Sequence, residues 1–165
     1  MVSKTPLKKD AFSNLANYFN DQGATYFSLI LLDDEKNILY YRSTNNKWQE
    51  KYVINNYYKH CHLIDRTNQL IKSDQPSFTL AWDFVKCQNE IAAEINALRI
   101  ENKIAHGVSF CQKNFRIGEK NATFLTTLAG RDCDINFSEN VVTRKKEIIT
   151  SVIQSKVIQN HLKVD

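Results

Sequence analysis

The chain has 165 residues, 42% of them apolar and 24% charged, with a formal net charge of +4. That is ordinary globular composition for one domain, large enough to bury a core without metal or disulfide. No run approaches the ~20 apolar residues of a membrane span, and no apolar N-terminal stretch suggests export.

Leu7, Phe12, Leu15, Ala16 and Phe19 predict a helix over 6–21, ended by Gly23. "TYFSLILLD" (25–33) predicts a buried strand too apolar to have a wet face. "DDEKN" then turns the chain into a second strand, "ILYYRS", as an antiparallel hairpin. Helices are expected over 46–59 and 63–73, with Pro76 breaking the second. Asp83 is expected to cap a long helix, 84–101, with a stripe of Phe84, Cys87, Ile91, Ile95, Leu98 and Asn102. Two more strands follow, 106–112 and 123–130, joined by a polar loop holding Gly118. Ser138 is expected to cap a last helix of about 20 residues, whose apolar side carries Ile149, Val152, Ile153 and Val157. The order predicts an α+β fold, an α-β-α sandwich whose antiparallel sheet of four to five strands is covered by helices on both faces.

Several chemistries find little support. The cysteines (Cys61, Cys87, Cys111, Cys133) are widely spaced without a CxxC, so free thiols in a reducing cytosol are expected. His60, Cys61 and His62 are good ligands, but neighbours on a helix point about 100° apart and no second ligand pair follows. No GxSxG elbow and no glycine-rich phosphate loop occurs, so no enzyme is expected. The densest basic cluster, Arg144 to Lys146, reads as a solvated helix face. No two-helix DNA reader is visible after residue 138, so direct nucleic-acid contact is not expected.

A ligand pocket is the remaining chemistry. Trp48 and Tyr52 are four apart and share a helix face; both are flat, apolar and carry a donor. Asp65 offers an acceptor, and Trp82 lies beyond the helical insert. Two readings fit these residues: a mostly apolar pocket with a few placed polar groups, or an aromatic core under a helical layer with Asp65 as a cap.

"TYFSLILL", "W…Y…LID", "FTLAWD" and "IAHGVSFCQ" followed by "TFLTTLAG" stand in an order and rough spacing that resembles the autoinducer-binding domain of LuxR-type quorum-sensing regulators, from about residue 10 to 160. The resemblance implies a single domain over 1–165 that binds an N-acyl homoserine lactone between sheet and helices, with no other cofactor and no metal. By that likeness Asp65 accepts the ligand's amide N–H, and Tyr52 stands for the tryptophan that donates to the lactone carbonyl. Trp48 stands for the tyrosine four residues before it. A second register, which puts Trp48 on the tryptophan and Tyr52 on the tyrosine that follows it, needs extra residues before Asp65. Thr126 matches the strand hydroxyl that donates to the acyl carbonyl, Trp82 packs beside the head group, and Gly107 matches the glycine before the third strand. Expected walls are Leu29, Leu31, Tyr41, Leu63, Phe84, Phe110 and Leu125, for each of which plain core packing is an equal reading.

The chain departs from the family pattern at Arg66, where a proline is usual, at Asn56, where a tyrosine is usual, and in the longer segment from Asp65 to Trp82. The implied function is a cytoplasmic small-molecule sensor working as a dimer. The alternative is an interaction protein without a DNA reader that inhibits a full-length relative by heterodimerisation, with or without ligand.

Overall fold

The computed structural model describes residues 10–117 and 119–161. A five-stranded sheet has the order β2-β1-β5-β4-β3, with every neighbouring pair antiparallel. Its strands are β1 (Tyr26–Leu32), β2 (Ile38–Ser43), β3 (Ser77–Ala81), β4 (Ala105–Ile117) and β5 (Lys120–Gly130). Helices cover both faces, as the α-β-α expectation requires. One layer holds α1 (Ala11–Asn20), α5 (Phe137–Thr143), α6 (Lys145–Gln154) and α7 (Lys156–His161). The other holds α2 (Asn46–Ile54), α3 (His62–Lys72) and α4 (Glu90–Glu101).

The first layer packs directly on the sheet. Phe12, Leu15 and Phe19 of α1 meet Phe27, Leu29 and Leu31 of β1, and Phe110, Phe124, Val152 and Ile158 close the same core. Asp10 caps α1 by accepting from the Ser13 amide at 2.8 Å. The expected helix began at residue 6; residues 6–9, with Leu7, lie outside the described residues.

Several boundaries differ from expectation. The helix expected over 46–59 stops at Ile54, because Asn56 takes a left-handed φ of 56° and starts a 3-10 turn over Tyr57–Lys59. "SFTLA" is a strand rather than a break: Phe78 and Leu80 alternate inward, and Pro76 stands just outside the pairing. The long helix starts at Glu90, not 84. Asn89 caps it by accepting from Ala92 N–H, while Asp83 lies in a 3-10 turn over Trp82–Phe84. Ser138 is buried inside α5 rather than capping it. The last helix is three segments, with breaks at Arg144 and at Ser155, whose ψ of 152° is extended. The β4–β5 hairpin is longer than expected, and Phe115 packs edge-on against Phe124 at 5.0 Å. Gly118 of its loop lies outside the described residues.

Candidate ligand-binding site

Strand alternation sends even-numbered β1 residues away from the core described above. The register aligns them into rows. Ser43, Ser28, Thr127 and Ser109 face one another across β2, β1, β5 and β4. The next row is Tyr41, Ile30, Leu125 and Cys111. A belt of hydroxyls thus lies beside an apolar row on one sheet face. The belt is wired: Ser109 Oγ and Thr127 Oγ1 are 2.8 Å apart, and Trp82 Nε1 donates to Ser109 Oγ at 3.3 Å.

Over these rows the second helical layer leaves a cavity of about 500 Å³, within the range of small-molecule sites. Its floor includes Tyr26, Ser28, Ile30, Leu125, Thr127 and Ser109, and its roof Trp48, Tyr52, Leu63, Ile64, Thr67 and Ile71. Trp48 and Tyr52 are buried with ring centroids 5.8 Å apart, and Tyr57 joins them at 6.2 and 6.5 Å. Burial, with Cys61 beside its hydroxyl, pushes the Tyr52 pKa far up, so it stays a neutral donor. Tyr41 is raised likewise by burial and by Tyr26.

The expected residues divide. Trp48, Tyr52, Tyr41, Leu63, Trp82 and Leu125 line this cavity. Leu29, Leu31, Phe110 and Thr126 do not; they face the α1/α5–α7 core, one residue out of phase, and Thr126 Oγ1 donates to the Ser28 carbonyl at 3.2 Å. Asp65 is exposed in the first turn of α3, on the outer side. With Phe84, which is 86% exposed, it borders a second, solvent-facing cleft with His60 and Arg66. The geometric reason is helical phase: Asp65 is two residues, about 200°, from inward-facing Leu63. His60 and His62 also part company, the first exposed and the second buried. Burial lowers the His62 pKa, and the nearby Arg99 charge lowers it further.

Residues not singled out from sequence complete the cavity: Tyr26, Ser28, Ser109, Thr127 and Arg99. For Ser28 and Ser109 the signal was a lone serine inside an apolar run; Thr127 stands next to Thr126, and only the strand facing tells the two apart. For Arg99 it was helical spacing, since Ala92, Ile95 and Arg99 form the buried face of α4.

Gly107 lies inside β4 rather than before it, next to a bulge. A Cβ there would clash with the Trp82 ring, so only glycine lets the indole lie on this backbone. At the same bulge His106 has φ 53°, and its Nδ1 and Nε2 lie 2.8 Å from Asp83 Oδ2 and the Asp132 carbonyl oxygen. Burial opposes protonation, but the Asp83 and Asp132 oxygens outweigh it, and the pKa rises above 6.5. A raised folded-state pKa stabilises the fold fully below the unfolded value, and that part is lost as pH rises through the folded one. His62, shifted down, acts in the opposite sense. We expect the stability difference between wild type and His106→Gln to shrink as pH rises past neutrality, measured by urea unfolding at several pH values. A difference independent of pH would contradict the pairing.

A cavity between an open antiparallel sheet and a cap of helices, polar on one side and apolar beside it, sits in an α-β-α sandwich fold. In solved structures this fold is shared with CepR2 of Burkholderia cenocepacia, described as an N-acylhomoserine lactone dependent LuxR family transcription factor: TM-score 0.62, 14% identity, over 96% of this chain and 89% of that one. It is also shared with Escherichia coli SdiA: TM-score 0.57, 11% identity, over 92% of this chain, which spans 60% of that chain's length. At such identities the likeness shows the fold. No protein-family model and no curated protein matches the chain.

Proposed function

We propose that the chain is a non-catalytic signal-sensing domain whose cavity takes an acyl amphiphile, an N-acyl homoserine lactone or a related molecule, and that it acts as a homodimer or with a related regulator. The observation that carries this is the pair of rows on the sheet: hydroxyls for a polar head, and Ile30 with Leu125 for a chain. The fold shared with CepR2 supports the same reading. Asp65 faces out, so the guest's polar contacts come from Trp48, Tyr52, Trp82 and the hydroxyl belt.

Each buried methylene contributes about 0.8 kcal/mol, so affinity is expected to rise steeply with acyl length. A ligand at 100 times its Kd stabilises the fold by about 2.7 kcal/mol. Melting curves against acyl amphiphiles of increasing length are expected to climb, and Ile30→Trp, which fills the apolar row, is expected to remove the climb. Flat curves for every head group and length would end this reading.

A further inference from the structure

Arg99 is only 4% exposed, yet it lines the cavity. Its Nη1 donates to Asn96 Oδ1 at 2.8 Å and its Nη2 to Cys61 Sγ at 3.4 Å, and the guanidinium lies 5.3 Å from the Trp82 ring centroid. A guanidinium has five N–H donors and a permanent charge. Its hydrogen-bond partners here are an amide oxygen and a sulfur, and no carboxylate pairs with it among the described residues. An uncompensated buried charge is strongly destabilising. The cavity supplies no counter-charge: its other ionic lining side chains are the exposed Lys36 and Lys72, and neither Asp nor Glu lines it. Asp65 belongs to the outer cleft, and Asp83 and Asp132, which border a smaller cavity beside Arg99, pair with His106 instead.

We infer that the cavity selects amphiphiles with an anionic head group, a carboxylate paired with Arg99, over neutral lactones and alcohols. This rests on the amphiphile reading above and names its ligand class. A carboxylate matches the guanidinium fork with two charge-assisted hydrogen bonds, and the cationic lining attracts it. Free fatty acids and N-acyl amino acids share this chemistry.

The test titrates the whole chain with four probes that share one carbon-chain length: dodecanoic acid, dodecanol, N-dodecanoyl homoserine and the lactone of that last compound. At least one carboxylate is expected to bind about 10-fold or more tighter than its neutral partner. The pair showing the larger gap tells a fatty acid from an acyl amino acid. Arg99→Gln is expected to bring acid and neutral affinities together. If that variant does not fold, the wild-type comparison still decides, because it needs no substitution. Neutral probes binding as tightly as both acids, or a folded Arg99→Gln that keeps the preference, would overturn the anionic assignment and leave the amphiphile reading intact. No binding by any of the four would overturn both.

Discussion

Phe110→Ala is expected to lower the unfolding free energy by about 3–5 kcal/mol, seen as a lower urea midpoint at unchanged slope. Phe110 is fully buried in the core that also holds Phe124, Leu29 and Val152, and its loss leaves a hole there. Surviving folded molecules are expected to keep their amphiphile affinity, because this core lies on the far side of the sheet. Leu125→Ala makes the control. Leu125 is on the opposite face and borders the cavity, so it already lacks part of its packing. It is expected to cost less stability and more affinity. The reverse pattern would mean that the strand facing described above is inverted.

Gly107→Ala is expected to displace Trp82, destabilise the fold by about 1–3 kcal/mol and weaken amphiphile binding. The new methyl falls on the indole ring, and the next residue, Val108, is paired to both β3 and β5, so the ring must move. Displacement breaks the indole's hydrogen bond to Ser109 and its contact with Arg99. The chain has two tryptophans, Trp48 and Trp82. In a Trp48→Phe background the emission reports Trp82 alone, and it is expected to shift toward the solvated value in the glycine variant. Unchanged emission with unchanged stability would show that the indole is not seated on that backbone.

Layering and four of the five strands were legible in the sequence because long apolar runs and helical stripes are strong signals. β3 was not: five residues behind a proline read as a break. Strand facing was not legible either, for a physical reason. β1 and β5 are buried on both faces, so no polar–apolar alternation marks which side is which. Leu29, Leu31, Phe110 and Thr126 were therefore placed one residue out of phase. The shared inward face of Trp48 and Tyr52 was legible because four-residue spacing on a helix survives small boundary errors. Asp65 was placed by likeness to a family pattern. The phase of α3, set by its start at His62, turns it outward.

The two sides of the sheet differ in how firmly they are held. On one, side chains from four helices interlock with the strands. On the other, the smaller apolar clusters surround a void. The roof over that void thus has fewer packing partners than the other helical layer, the condition under which local opening is least costly. Under the proposed function, a guest in the void would lend the roof the packing atoms it lacks. Occupancy would then be felt at the outer surface of those helices as slower amide exchange, with no large displacement needed.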